Sequence, residues 1–459
     1  MLRHIPKRLS PDCISGRLPC YFMKKILFLF LILTLLCHNS PVYANCDDCP
    51  QKKENNGKAS SNTHKAYHTP RAGEAYRGKI FGHTIEVPAG DRRSESAWEI
   101  GAVLTKPAAQ GSAVLPIGGI YLWQHPDNSK LFRAQLSVLE NEVFLSRSPA
   151  FLAPFEWVAT FENYTVPVPQ AVMIDGTALK SQELIWGYAR PGFGIGYRKQ
   201  VAPYKQDNMF ALDLTAEPGF EFFNAGSNTA ENFVVPPNTF EMRGHLQARL
   251  DKLERNILEL PHQGLAAGAD IIYGRRLNWR NWGINGSEPG GHDYYLFTGY
   301  ALKAGGIPGL HDYRQRLIGS LHGGAGIGLD RFSAPMIGGG LNPLGEEYGS
   351  TWRPILPGAV IQEFSPKHYI IATGEYRWAP VFFTYLGLDA SVAWLDRPRM
   401  VSGDIVYKND FFTSIGANLT TGFLFRTLLQ VAYNYNFSEI RKGNYGGSEI
   451  VFSVAHYMF

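Results

Sequence analysis

The chain has 459 residues, 45% of them hydrophobic, 13% aromatic and only 18% charged, with 48 Gly and a formal charge of +4. Average soluble domains carry about 25% charged residues. The abundant aromatics exclude a disordered chain, and the mature part has no apolar run long enough for a transmembrane helix. The positive charge is local: residues 1–44 hold six basic residues and one acid, leaving 38 basic and 39 acidic beyond them. No basic patch for nucleic acid remains.

Lys24-Lys25 precede an apolar run, Ile26–Cys37, and then the small-residue stretch Val42-Tyr43-Ala44. This is the pattern of a secretory signal peptide, with Met23 as a start. Residues 1–44 are therefore expected to be removed. Cys46 and Cys49 then remain as C-x-x-C in an oxidising compartment, where a local disulfide is expected, with no metal assigned. Residues 45–95 are polar and read as a flexible periplasmic segment.

From 96 to 459 aromatic-rich stretches alternate with Gly/Pro/Asn clusters, without a linker. Their period is two. In Thr239–Asp251, Phe240, Met242, Leu246 and Leu250 share one face, and Glu241, Arg243, His245, Gln247, Arg249 and Asp251 the other. In Arg426–Phe437, Leu429, Val431, Tyr433, Tyr435 and Phe437 oppose Gln430, Ala432, Asn434 and Asn436. Such patterning is that of strands. Charges of both signs at mid-strand (Arg133, Asp213, Glu217, Arg243, Arg249) suit a hydrated lumen better than a sandwich core. Trp98, Trp123, Trp157, Trp186, Trp378 and Trp394 fall at strand ends and are expected to form interfacial girdles. At roughly 20–25 residues per strand and connection, the span holds about 14–18 strands, with sixteen as the central expectation. The fold class is thus all-β: a transmembrane antiparallel barrel after a cleaved signal peptide and short N-terminal segment. Lys252–Leu260 fits either a strand or a helical stripe. Phe459 shares a face with Val451, Ala455 and Tyr457 and ends a final strand that closes against the first.

Two stretches resemble the bacterial surface-antigen superfamily, the BamA/TamA-type outer-membrane barrels. The first runs from Asp251 at a strand end to Pro261-His262-Gln263-Gly264 and another strand; Pro261 fixes φ and Gly264 relieves the bend. The second begins at Met336–Gly340, continues through a Gly/Pro-rich loop ending Leu356-Pro357-Gly358-Ala359, and reaches Gly374-Glu375-Tyr376-Arg377 and Asp389-Ala390-Ser391 on successive strands. The resemblance implies a loop folded into the lumen, its tip touching acidic residues of these strands. Glu375 or Asp389 is expected to pair with Arg353 or Arg377, with Gly358 at the tip. Arg353 is the nearest substitute for the tip arginine that this loop lacks. The segment 45–95 is too short for the POTRA modules of complete family members, so the resemblance is to a member without them.

The implied function is protein or lipid translocation or insertion at the outer membrane of a Gram-negative bacterium. The implied partners are outer-membrane lipids, lipopolysaccharide included, and periplasmic proteins; a monomeric barrel is expected, with no nucleic acid and no cofactor. Two other classes stay open: a passive porin, and a lipid-modifying hydrolase drawing on His292-Asp293, His311-Asp312, Ser320 with His322, or Asp330. No G-x-S-x-G elbow occurs and no orienting residue is evident, so no catalytic residue is assigned.

Overall fold

Each long alternating stretch forms a strand with one face inward. The computed structural model describes residues 70–458, except 81–82, 91, 110–111, 128, 138, 166–168, 202–207, 311, 341–353, 402–403, 424–426 and 442–443. The signal segment, Cys46, Cys49, Arg353, His311 and Phe459 lie outside the described residues. Sixteen strands make one closed antiparallel barrel: β1 (Ser94–Ala109), β2 (Ser112–Asp127), β3 (Lys130–Ser137), β4 (Glu140–Arg147), β5 (Phe155–Thr165), β6 (Thr177–Gln200), β7 (Met209–Ala225), β8 (Thr239–Arg255), β9 (Pro261–Arg276), β10 (Asp293–Gly306), β11 (Gln315–Ile327), β12 (His368–Val381), β13 (Thr384–Val401), β14 (Asp404–Phe423), β15 (Thr427–Arg441) and β16 (Asn444–Met458). A short strand, Gln170–Ile174, folds back on the start of β6.

Closure removes the sheet edges, which a bilayer would leave without hydrogen-bond partners. The first and last strands pair from Lys106↔Ser448 to Ser96↔Met458, eleven register positions. Where Pro191 and Pro218 face each other, the β6–β7 register has no pairs between Ala216↔Phe193 and Phe220↔Ala189. Proline has no N–H to give that ladder.

Burial follows the alternation. On β8, Phe240 and Met242 are 60% and 48% exposed, while Glu241 and Asp251 are 1% and 0% exposed. An inverted protein of this kind, apolar outside and charged inside, is stable only with lipid around it. The final strand keeps the same rule: Val451, Ala455 and Tyr457 are lumenal, Ile450 and Phe452 outward.

Connections at one end are short; at the other they include 226–238, 277–292 and 328–367. We call these the turn end and the loop end. The stretch 252–260 resolves as strand and then turn, with no helix: β8 continues to Arg255, and the turn at 256–260 leads into β9. At the turn end, Tyr76–Ile80 pairs with His83–Val87. Ala72 N–H donates to Arg255 O at 3.0 Å, and Arg92 bonds Glu259 at 2.6 Å.

The girdle expectation needs correction for two tryptophans. Trp157 and Trp378 point outward, but Trp123 and Trp186 are buried inside. Trp123 shares the lumenal register of Tyr121 in an aromatic cluster with Phe144 and Tyr457. Trp186 packs at the loop end with Phe223, Phe233, Trp279, Trp282 and Phe332. A sixteen-stranded lumen is too wide for aliphatic side chains to fill, and these rings occupy its ends.

Candidate lumenal site

The loop between β11 and β12 enters the barrel. Ile337 bridges Phe364 and Gly338 bridges Ile355, so the entering and returning arms lie side by side. Ile337, Leu356, Ala359 and Phe364 pack on Tyr369, Ile371, Ala393, Leu395 and Phe412, the lumenal side chains of β12–β14. Glycine is needed where the arms meet. A Cβ on Gly338 would lie 2.1 Å from Val360 O, and Gly358 has φ +83 with a Cβ position 2.8 Å from Asn436 Cβ.

The tip is held by one carboxylate. Glu449 on β16 is fully buried and accepts the Gly340 N–H at 2.5 Å, the Gly358 N–H at 3.1 Å and Asn434 Nδ2 at 3.0 Å. Asn436 Nδ2 donates to Pro357 O at 3.1 Å. Farther along the loop, Glu363 pairs with Arg441 at 2.6 Å, and Gln362 Oε1 accepts the Tyr164 hydroxyl at 2.8 Å. The loop is thus fixed mainly to the last two strands.

Of the residues expected from the sequence, Glu375 and Arg377 pair with each other in the barrel wall rather than with the loop. Glu375 and Arg377, two apart on one face of β12, form a bidentate pair at 2.9 and 2.7 Å. Arg377 Nη1 also donates to Pro261 O at 2.8 Å, joining β12 to the turn motif. Asp389 stands opposite Glu375 in the β12–β13 register. In the turn motif, Asp251 accepts Leu253 N–H at 2.8 Å and Arg255 Nη2 at 2.6 Å. Gly264 has φ +110 and no room for a Cβ, which would lie 2.1 Å from Lys252 O.

Sequence reasoning missed the largest polar feature, a band of ion pairs on the lumenal face of β5–β9. Arg190 bonds Glu241 at 2.7 Å and Glu221 at 2.9 Å. Arg276 bonds Glu221 at 2.6 Å and Asp330 of the inserted loop at 2.7 Å. Arg243 joins Glu217 at 2.5 Å to Glu162 at 2.8 Å. His245 links Glu217 and Asp270, and Arg249 bonds Asp270 at 2.8 Å. The signal was present in the polar face of 239–251. The partners on β5, β6 and the loop become visible only when the barrel closes.

Glu162, Glu217 and His245 have ligand atoms within 4.8 Å of one another, but the Arg243 guanidinium already supplies the positive charge between the two carboxylates. Among the described residues the hydrolase candidates do not assemble. His322 is buried and stacks on Tyr300 at 5.8 Å, and among the described residues no carboxylate bonds it. Asp330 accepts the Phe332 and Ser333 N–H groups, each at 3.0 Å, as a loop cap. His292 Nδ1 meets Arg276 O at 2.8 Å.

No protein-family model matches this chain, and no curated protein matches it. Among solved structures, it is similar to the crystal structure of BamA from Haemophilus ducreyi lacking POTRA domains 1–3, at 13% identity and TM-score 0.48, over 84% of this chain and 75% of that one. It is similar to CdiB from Acinetobacter baumannii at 11% identity and TM-score 0.46, over 85% and 66%. For CdiB from Escherichia coli the values are 9% and 0.48, over 84% and 67%.

Proposed function

We propose that this chain is an outer-membrane barrel of the surface-antigen type, closed at rest by its own loop, that moves or inserts protein or lipid. In this reading the turn end, which bears both strand termini, faces the periplasm, and the long loops face outward. The observation that carries it is the anchoring of loop 328–367. Its tip is bonded to Glu449 on the strand that closes the barrel, and its entering arm to Arg276 through Asp330. A passive porin needs an open aqueous path, and a loop secured at both arms obstructs one. The same tie couples the loop to the β1–β16 seam, so release of one loosens the other. Periplasmic partners would supply recognition, and residues 70–93 lie at the end where they would dock.

The test uses the mature chain in planar bilayers and in liposomes. The reading expects a low, flickering conductance and faster folding of a denatured reporter barrel into liposomes that contain the protein. A steady, large conductance without any acceleration of folding would favour the porin and overturn it.

A further inference from the structure

The barrel wall has a low point. β3 and β4 have eight residues each, whereas their neighbours β2 and β5 have 16 and 11, and β6 beyond β5 has 24. The β2–β3 register ends at Gly119↔Ser137, so residues 112–118 of β2 rise beyond the β3–β4 turn. On the other side of that turn, Thr165 N–H donates to Leu139 O at 2.9 Å, and the hairpin formed by Gln170–Ile174 and the start of β6 continues upward. Ile120 and Leu136, paired one step below the rim, are 46% and 38% exposed on the outer face. The rim therefore lies at the level of lipid.

Two lumenal cavities, of about 450 and 240 Å³, reach this place and share the apolar Leu115, Leu139, Met336 and Ile361 together with Gln362. The smaller one also holds Arg331. The Arg331 guanidinium donates to Gln182 O at 3.1 Å and lies 4.9 Å over the Phe332 ring. It makes no ion pair among the described residues, and the adjacent Asp330 is committed to Arg276 and Ser333. Burial pushes the guanidinium down to about 10, so it is still a cation at neutral pH. A desolvated guanidinium at the end of an apolar passage is matched by an oxyanion that arrives on an apolar chain.

We propose that this low point is a side entrance for an anionic, phosphate-bearing acyl lipid. The acyl chain lies along Leu115, Leu139, Met336 and Ile361, and the phosphate meets Arg331. The entrance is distinct from the seam, which is paired across eleven positions. The inference deepens the function above by naming a lipid class, and it needs only binding, not transport.

The experiment measures retention of lipid A, of phosphatidylglycerol and of phosphate-free diacylglycerol by the purified mature chain, using native mass spectrometry. Wild type and Arg331→Lys should retain lipid A, and Arg331→Gln should bind it about tenfold more weakly, the loss of one charge-assisted contact. Leu139→Trp should abolish retention by filling the passage while Arg331 stays intact. Equal thermal unfolding of all forms checks the fold. Equal retention of phosphatidylglycerol and lipid A would show that the site reads phosphate from either leaflet; retention of lipid A alone would show an outer-leaflet source. Equal retention of diacylglycerol, or wild-type retention by both Arg331→Gln and Leu139→Trp, would overturn the proposal. That result would leave the closed conductance, and the function above, untouched.

Discussion

Replacing Glu449 by alanine should release the inserted loop. Its carboxylate accepts three hydrogen bonds inside the barrel, two of them from loop backbone at Gly340 and Gly358. Hydrogen bonds to a charged group contribute about 1.5–3 kcal/mol each, and a buried N–H left without a partner costs about 1–3 kcal/mol. These contributions are not additive, and the third bond, from Asn434, belongs to the barrel wall. A loss of about 3 kcal/mol in loop docking is therefore the expected scale. That raises the ratio of undocked to docked loop about a hundredfold. Cleavage after Glu347 by a glutamyl endopeptidase, followed in proteoliposomes, reads the change directly, and mean conductance should rise with it. Glu449→Gln keeps one acceptor oxygen and should fall between the two forms. Wild-type cleavage and conductance in Glu449→Ala, with the barrel folded, would refute the latch.

Other substitutions test separate parts of the account. Arg276→Ala removes the cation between Glu221 and Asp330, leaving Glu221 only Arg190 and Asp330 only its loop donors, and should destabilise the barrel by about 3 kcal/mol, seen as a lower unfolding temperature. Asp330→Ala should instead loosen the loop, raising cleavage after Glu347. Gly264→Ala forces a side chain into positive φ against Lys252 O; a cost on the order of 1–3 kcal/mol should slow folding of the β8–β9 hairpin in refolding kinetics. Ser320→Ala and His322→Ala should leave phospholipid hydrolysis by the purified chain at its background level, and a drop in either would revive the hydrolase.

The barrel was legible because one local rule, alternation by two, repeats around a closed sheet. Phe240–Asp251 and Leu429–Asn436 show inside and outside without any tertiary knowledge. Strand number followed from length, since each crossing consumes a similar amount of chain. Girdle assignment failed at Trp123 and Trp186 because a tryptophan at a strand end has two faces available, and only register with Tyr121 or contact with Phe332 distinguishes them. The loop's entry was implied by the family resemblance of its flanking motifs, and the structure shows tight approaches at two of its glycines, Gly338 and Gly358. Its anchor was not. Glu449 lies 91 residues from Gly358, and nothing local marks it among other strand carboxylates. The ion-pair band was hidden for the same reason: Arg190 meets Glu241 across 51 residues, a distance that only closure spans.

The central claim, a loop docked in the lumen against the closing strands, is tested most directly by a cysteine pair. Asn436 Nδ2 donates to the backbone Pro357 O at 3.1 Å, so residue 357 lies within side-chain reach of residue 436, and Pro357→Cys with Asn436→Cys, in a chain where Cys46 and Cys49 are changed to Ser, gives a pair that a short bismaleimide can join. The account predicts a cross-link between the two cysteines in the membrane, with the conductance held low once it has formed. No cross-link, together with a steady large conductance, would contradict it.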